Sequence, residues 1–225
     1  MKIRHGMILA AGLGKRMQPL TNKKPKPLLE IGGLTLLERA INLLIDHGVK
    51  EISVNIHHLG DQIEKYISDL KSEVKIKISN EKDLLLDTGG GVKKGTKDFK
   101  ENPFFVINPD TLWSNKYSKE VQSLEKEYFI NKRPCLLLVK KKLSLDNSFK
   151  GDFNLKNNLI SKDEHNQFIF TGLQIIKNDH LLSFNKDIFS MNEVWTKLIS
   201  EKNLIGLESN QKFYHLNTLE TVSYT

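Results

Sequence analysis

The residues of this 225-residue chain that are best suited to chemistry follow its first apolar segment, residues 7–9. They are small residues and cations: Ala10, Ala11, Gly12, Gly14, Lys15 and Arg16. A further cation, Lys26, follows in a Lys-Pro-Lys-Pro run at 24–27. Glycines let backbone N–H groups approach an anion closely, and Lys and Arg neutralise its charge. A strand that ends in such a loop therefore predicts a phosphate-binding site.

Two common phosphate-binding motifs nearly match this loop, but neither fits. A Walker A loop needs Ser or Thr after Lys15 and Gly at position 9, where the chain has Arg16 and Leu9. A dinucleotide-binding fingerprint needs Gly or Ala at position 17, where the chain has Met17. The loop therefore belongs to a different kind of phosphate site.

Strand and helix patterns alternate after the loop, as the spacing of apolar residues indicates. The predicted strands are 51–56, 74–78 and 104–107, and the predicted helices are 34–44, 61–67 and 118–131. This alternation is typical of an α/β fold with a Rossmann-like mixed, mainly parallel sheet that is flanked by helices. Ligands of such sheets bind beyond the carboxyl ends of the strands, where the glycine loop is expected to lie.

Asp110 follows the apolar pattern of residues 104–107 and comes directly after Pro109. A carboxylate at the tip of a central strand points into the ligand crevice, where Mg²⁺ bridges phosphates. The alternative interpretation is an ordinary turn residue after a proline.

Three consecutive glycines at 89–91 argue against a helix interior, because glycine loses the most conformational freedom on folding. One interpretation is a loop and a helix start that Asp87 or Thr88 caps. The other is a backbone surface, including Thr88, Gly89 and Gly90, on which a flat nucleobase lies.

The later part of the chain has shorter strand patterns around turns, as in an antiparallel region that binds a second ligand beside the phosphate loop. The predicted strands are 134–141, 151–155 and 168–176, with a turn at Asn157 and Asn158 and a helix at 192–200.

Composition separates the candidate function classes only in part. The formal net charge of +7 is compatible with nucleic-acid binding, but the lysines are scattered and no basic–aromatic alternation appears. No apolar run approaches the ~20 residues that cross a bilayer, and the sequence does not open with a signal-peptide pattern. The single cysteine, Cys135, lies in an apolar run and is expected in the core. We expect a cytoplasmic protein that binds neither nucleic acid nor membrane.

The opening loop resembles that of the sugar-1-phosphate nucleotidyltransferases, which join a sugar phosphate to a nucleoside triphosphate and release pyrophosphate. The matching residues are Leu9-Ala10-Ala11-Gly12-x-Gly14-x-Arg16-Met17-x-Pro19-Leu20-Thr21 and Pro25-Lys26-Pro27-Leu28. The resemblance covers nearly the whole chain and implies a fold of the nucleotide-diphospho-sugar transferase type. It implies one domain, 1–225, with a nucleotide-binding half at about 1–115 and a sugar-phosphate-binding half at about 116–225.

The resemblance also implies roles for the candidate residues. Arg16 and Lys26 would act on the phosphates, and Asp110 would hold Mg²⁺, although Pro109 departs from the small residue of the family's Asn-Gly-Asp. The loop and Thr88, Gly89 and Gly90 would bind the nucleotide. The sugar-side candidates are Gly151, Asp152, Thr171, Gly172 and His215.

His215 departs from the family pattern, which has an Asp as a second metal ligand in the corresponding segment. Asn217 and Leu219 likewise replace Gly and Pro. Mg²⁺ prefers hard oxygen ligands, so the role of second ligand does not carry over to an imidazole. The open alternatives are a hydrogen bond to sugar or phosphate, a hold on a metal-bound water, and a structural histidine.

Within the family, the chain looks most like the short N-acetylmuramate α-1-phosphate uridylyltransferases of cell-wall recycling, which favours UTP as the nucleotide. Mannose-1-phosphate guanylyltransferase and choline-phosphate cytidylyltransferase are the enzymatic alternatives. A catalytically silent nucleotide-sugar-binding subunit is the alternative of another class, since Gln18, Pro109 and His215 depart from the pattern. A monomer or a small homo-oligomer is expected.

Overall fold

The strands of the protein form a mixed sheet and a small hairpin in this computed structural model, which describes residues 1–218. In chain order they are β1 (His5–Leu9), β2 (Glu30–Ile31), β3 (Leu34–Thr35), β4 (Glu51–Ile56), β5 (Lys75–Asn80), β6 (Phe104–Ile107), β7 (Cys135–Lys140), β8 (Asn154–Lys156), β9 (Leu159–Ser161), β10 (Phe168–Ile176) and β11 (Ile205–Ser209). The strands β2 and β3 form the hairpin. The others pair in the order β5-β4-β1-β6-β10-β7-β11-β9-β8.

The sheet is mixed and mainly parallel, which confirms the predicted fold class. The strands β5, β4, β1 and β6 pair in parallel, as do β7 and β11. The strand β10 is antiparallel to both of its neighbours, β6 and β7, and β9 is antiparallel to β8 and β11. Within residues 1–218, β9 and β10 therefore run against the direction that the other sheet strands share. The sheet continues through both predicted halves of the chain.

Helices cover both faces of the sheet. They are α1 (Leu36–His47), α2 (Gly60–Asp69), α3 (Asp87–Gly95), α4 (Ser118–Asn131), α5 (Asp179–Leu182) and α6 (Met191–Ser200). Apolar side chains of α1, α2 and α4 share one core cluster, and those of α3 and α6 share another. The strand β6 contributes alternate residues to both clusters, which explains why its sequence is apolar throughout.

A glycine ends the helix α1 at its carboxyl end. Gly48 adopts a left-handed conformation with φ 101° and closes the helix. The predicted start at residue 34 is wrong, because Leu34 and Thr35 pair with β2. The Thr35 hydroxyl oxygen instead caps the helix by accepting from Glu38 N.

The expectation that the three glycines avoid a helix interior is wrong, because Gly89, Gly90 and Gly91 lie inside α3 and are buried. A Cβ at Gly89 would lie 2.5 Å from the ring of Phe189, and one at Gly90 would overlap the carbonyl oxygen of Asp187. The backbone N–H groups of Gly89 and Gly90 donate to Phe189 O at 2.8 and 3.1 Å. The glycines thus allow close packing between α3 and the segment 187–189.

The sequence reading missed the strands β2, β3 and β11 and the short helix α5, each of which is five residues or shorter. In residues 1–218, none of the helices is both long enough and apolar enough to cross a membrane. Cys135 is buried as expected, and burial raises the pKa of its thiol.

Replacing Gly90 with Ala should lower the free energy of unfolding by about 1–3 kcal/mol, because the added Cβ overpacks α3 against Asp187. For this loss to be observed, the free-energy cost of the overlap must exceed about 1 kcal/mol, which is the advantage of alanine over glycine inside a helix. Urea unfolding followed by circular dichroism measures the change. Gly12→Ala is the control, since no atom of the described residues lies within 4 Å of a Cβ there. An equal loss in both variants would contradict the packing role of Gly90.

Candidate active site

A cavity of about 670 Å³ lies beyond the carboxyl ends of β1, β4 and β6. The glycine loop, the segment after β5 and the segment after β6 form its walls. Many of the predicted site residues line it: Ala11, Gly12, Gly14, Lys15, Arg16, Lys26, Thr88 and Asp110. The loop therefore lies where the α/β pattern predicted a ligand site.

The loop is folded around Gly14, which has a φ of 63°. Its carbonyl oxygen accepts from Met17 N at 2.9 Å and from the Thr21 hydroxyl at 2.8 Å. A Cβ at position 14 would lie 2.8 Å from the Thr21 methyl group, so both the conformation and the packing require glycine. Lys15 and Arg16 remain exposed at the cavity. Among residues 1–218, no carboxylate lies within 4.0 Å of either cation, so both are available to an anion.

Lys26, Asp110 and His215 meet at one side of this cavity. Lys26 Nζ donates to Asp110 Oδ2 at 2.7 Å, and His215 Nε2 lies 3.2 Å from the same oxygen. Burial raises the pKa of the Asp110 carboxyl, but His215 and Lys26 outweigh it and hold the pKa well below its usual range. Asp110 is therefore a carboxylate at neutral pH.

Backbone pairing brings His215 to Asp110. Thr111 and His215 form an isolated antiparallel bridge. Leu216 N donates to Asp110 O at 2.8 Å, and Leu112 N donates to Tyr214 O at 2.9 Å. The segment after β11 thus lies as an extra strand beside the segment after β6.

Two polar atoms of this cluster have no protein partner among residues 1–218. Asp110 Oδ1 and His215 Nδ1 are buried and have no hydrogen-bond partner within the described part of the chain. An ionised carboxylate oxygen is the kind of ligand that Mg²⁺ prefers, so Asp110 fits a metal. Residues 1–218 contain no cluster of three or more His, Cys, Asp or Glu side chains that could share a metal.

Comparison with known proteins identifies relatives of the chain. The model of a family described as Nucleotidyl transferase matches residues 5–134. N-acetylmuramate alpha-1-phosphate uridylyltransferase of Caulobacter vibrioides is 30% identical over 218 residues, which are 93% of this chain and 90% of that protein. The chain belongs to the sugar-1-phosphate nucleotidyltransferase family.

Solved structures share the fold of this chain. HddC from Yersinia pseudotuberculosis, complexed with GMP-PN, aligns with a TM-score of 0.80 at 21% identity over 99% of this chain and 97% of that chain. A UDP-glucose pyrophosphorylase complexed with UDP-glucose aligns with a TM-score of 0.80 at 17% identity over 98% of this chain and 95% of that one. These likenesses confirm the nucleotide-diphospho-sugar transferase fold.

Thr171 and Gly172 of this nucleotidyltransferase do not line the cavity, and they lie behind the segment 108–111, which carries Asp110. The Thr111 hydroxyl donates to Thr171 O at 2.6 Å, and Asn108 N donates to Gly172 O at 2.8 Å. Gly172 has a φ of 94°, and a Cβ there would lie 2.9 Å from Asn108 Cβ. Both residues therefore support the 108–111 segment, a role that the sequence reading did not foresee.

Gly151 and Asp152 also lie outside the cavity lining. Asp152 Oδ2 accepts from Phe170 N at 2.8 Å, and burial raises the pKa of its carboxyl. Gly151 has a φ of 89°, and a Cβ there would overlap Asn166 O. Gly89 and Gly90 are absent from the lining too, since they are packed against Phe189.

The cavity has further lining residues that the sequence reading missed or gave another role, among them Asn55, Glu81, Ile188 and Asn217. Asn55 had a signal, because a buried polar residue interrupts the apolar pattern of β4. Asn217 is buried and its Oδ1 lacks a hydrogen-bond partner among the described residues. Leu219, the last replaced position of the family's late segment, lies outside the described residues.

Proposed function

We propose that this nucleotidyltransferase transfers a uridylyl group from UTP to N-acetylmuramate α-1-phosphate and releases pyrophosphate. The observation that carries the substrate is the relation to the Caulobacter enzyme of that name, which covers both chains almost completely. The Neisseria meningitidis enzyme of the same name adds support, with 38% identity over 118 residues. Those 118 residues are 52% of this chain and 51% of the Neisseria enzyme. A place in cell-wall recycling and a cytoplasmic location would follow from this substrate.

The proposed reaction is an in-line displacement at the α-phosphorus. An oxygen of the sugar phosphate forms a bond to that phosphorus, and the bond from it to the oxygen that bridges to the β-phosphate breaks. Pyrophosphate takes the electron pair and leaves, so no covalent enzyme intermediate is needed. The protein has to align two polyanions and offset the charge that builds up between them.

The cations of the cavity suit this task. Arg16 would bind the β- and γ-phosphates, and Lys26 would lie between the α-phosphate and the sugar phosphate. Lys15 is a secondary phosphate contact on the same loop. The positions of Arg16 and Lys15 at the exposed rim and of Lys26 deeper in the cavity support this division.

Asp110 would hold Mg²⁺ through its buried Oδ1, which lacks a protein partner within residues 1–218. Mg²⁺ in nucleotide sites is commonly bound by one or two carboxylates together with phosphate oxygens and water, so one carboxylate is sufficient. When bound, the ion supplies positive charge to the phosphates. His215, which contacts Asp110 Oδ2, would keep the carboxylate in place and face the sugar phosphate.

We assign the nucleotide to the half at about 1–115 and the sugar phosphate to the half at about 116–225. Thr88 lines the cavity and would contact the base, while Gly89 and Gly90 would act through the packing of α3. Gly151, Asp152, Thr171 and Gly172 would shape the sugar side from behind the lining.

Guanylyl transfer is the second candidate function. A D-glycero-alpha-D-manno-heptose 1-phosphate guanylyltransferase of Campylobacter jejuni is 34% identical over 113 residues, 50% of each chain. The fold match to HddC complexed with GMP-PN points the same way.

The test of the proposal is pyrophosphate release from a panel of nucleoside triphosphates and sugar 1-phosphates. UTP with N-acetylmuramate α-1-phosphate should give the highest kcat/KM. A maximum for GTP with mannose or heptose 1-phosphate would favour the second candidate. Binding without pyrophosphate release for every pair, choline phosphate with CTP included, would favour a catalytically silent subunit.

Arg16→Ala and Lys26→Ala should each lower kcat by roughly 100-fold or more, because each removes a preorganised cation from the charge that develops in the transition state. Steady-state kinetics with the preferred pair measures this. Lys24→Ala is the matched control, since Lys24 is two positions from Lys26 but pairs with Glu30 and does not line the cavity. Near-native rates in both test variants would refute the assignment.

Asp110→Asn should lower activity at least about tenfold and raise the Mg²⁺ concentration needed for half-maximal rate, because a neutral amide binds a hard cation more weakly. Extra Mg²⁺ should restore only part of the rate. Asp98→Asn, an exposed carboxylate paired with Lys77, is the control. An unchanged Mg²⁺ requirement in Asp110→Asn would exclude Asp110 as a ligand.

A further inference from the structure

Asn55 and Glu81 are polar side chains buried in the cavity wall, and the proposed chemistry uses neither of them. Asn55 is 2% exposed and Glu81 is 1% exposed. Among residues 1–218, no cationic side chain lies within 4.0 Å of the Glu81 carboxylate. Burying a carboxylate without a counter-charge is costly unless hydrogen bonds hold it.

The two side chains form a chain of hydrogen bonds across the wall. Ala10 N donates to Asn55 Oδ1 at 2.8 Å, and Asn55 Nδ2 donates to Glu81 Oε1 at 2.7 Å. Leu86 N donates to Glu81 Oε2 at 3.0 Å. The chain thus links the first residue of the phosphate loop to the residue that precedes α3.

The sequence around the pair leaves room for it. A Cβ on Gly91 would lie 2.6 Å from Asn55 Nδ2 and 2.8 Å from Glu81 Oε1. The third glycine of α3 therefore allows the helix to lie directly against the pair. The helix α3 begins directly after Leu86. Its first two residues, Asp87 and Thr88, line the same cavity as the loop.

We propose that Asn55 and Glu81 are positioning residues that fix the separation between the start of the phosphate loop at Ala10 and the segment 86–88, and thereby set nucleotide affinity. The proposal rests on the proposed function only in taking a nucleoside triphosphate as the ligand that contacts both segments. Neither side chain has to touch the nucleotide. Both act through the backbone N–H groups that they hold.

Asn55 donates and Glu81 accepts in this pair, so exchanging the amide and the carboxylate between the two positions gives a direct test. In Glu81→Gln the carboxamide offers one acceptor to two donors, Asn55 Nδ2 and Leu86 N, so one buried donor loses its partner. In Asn55→Asp two carboxylates face each other, although they can share a proton, and Glu81→Gln is therefore the cleaner single variant. The double variant N55D/E81Q restores every pairing. The carboxylate introduced at position 55 would accept from Ala10 N and from the new amide at position 81, whose oxygen would accept from Leu86 N.

The experiment measures the dissociation constants of UTP and GTP, each with Mg²⁺, by calorimetry on the full chain. Hydrogen exchange of the Ala10 and Leu86 amides reports the backbone directly, whether or not a nucleotide is bound. Glu81→Gln should weaken binding of the preferred nucleotide about tenfold, given about 1–3 kcal/mol for an unsatisfied buried donor and tenfold per 1.4 kcal/mol. It should also speed exchange at Leu86 or, through Asn55, at Ala10, depending on which donor loses its partner. N55D/E81Q should return both readouts to within about threefold of the native chain, since the pairings are restored.

Asn178→Asp is the matched control for general destabilisation. Asn178 is also buried, and its amide accepts from the Thr96 hydroxyl at 2.6 Å and donates to Thr96 O at 2.7 Å, away from the lining of the active-site cavity. This variant should lower the melting temperature and leave nucleotide affinity and exchange at Leu86 unchanged. Equal weakening in Asn178→Asp and Glu81→Gln would overturn the proposal.

Two further results would also overturn it. One is unchanged exchange at both Ala10 and Leu86 in Glu81→Gln. The other is a loss of nucleotide affinity in the double variant that equals the sum of the losses in the two single variants. Failure of the proposed function is distinguishable, because the native chain would then release pyrophosphate fastest from another pair or from no pair at all. The exchange readout at Ala10 and Leu86 does not depend on that activity.

Discussion

The hydrogen bond between Lys26 and Asp110 joins residues that are 84 positions apart, and the geometry of the site depends on it. It fixes the end of the opening loop against the tip of β6, the central strand that is buried on both faces of the sheet. His215 approaches the same carboxylate oxygen from the late segment of the chain. One carboxylate thus holds together three regions that the sequence separates widely, and its second oxygen stays unpaired within the described residues.

The antiparallel strand β10 supports the segment that carries this carboxylate. The strand β10 is antiparallel to β6, and the carbonyl groups of Thr171 and Gly172 accept from the Thr111 hydroxyl and Asn108 N. The Trp113 indole N–H donates to Asn108 O at 2.7 Å, so the segment is held on both sides. A site that must order polyanions benefits from such a rigid frame, since the positions of its charges then need no rearrangement during reaction.

Much of the fold follows from local sequence. The strands β1, β4, β5 and β6 and the helix α4 could be predicted because their apolar patterns and ends are encoded within a few residues. The opening loop and the place of Asp110 followed for the same reason, since each comes directly after an apolar strand. The role of the glycines in α3 could not be predicted, because their packing partners Asp187 and Phe189 lie about a hundred positions later and no local pattern encodes that contact. The hydrogen bonds that link Asn55 through Glu81 to Leu86 could not be predicted either, because no local pattern encodes them. The one signal in the sequence was Asn55 itself, a polar residue inside an apolar strand.

The position of β10 between β6 and β7 has a consequence for synthesis on the ribosome. Residues 5–107 contain all of β1, β4, β5 and β6, so this part of the sheet can pair as soon as it emerges. The outer edge of β6, with the sequence Phe-Phe-Val-Ile, then stays unpaired until residue 176 has been made. At about 5–20 residues per second, the nascent chain would expose an apolar strand edge for several seconds. Such an edge is prone to pair with other chains, and chaperones protect nascent chains against pairing of this kind.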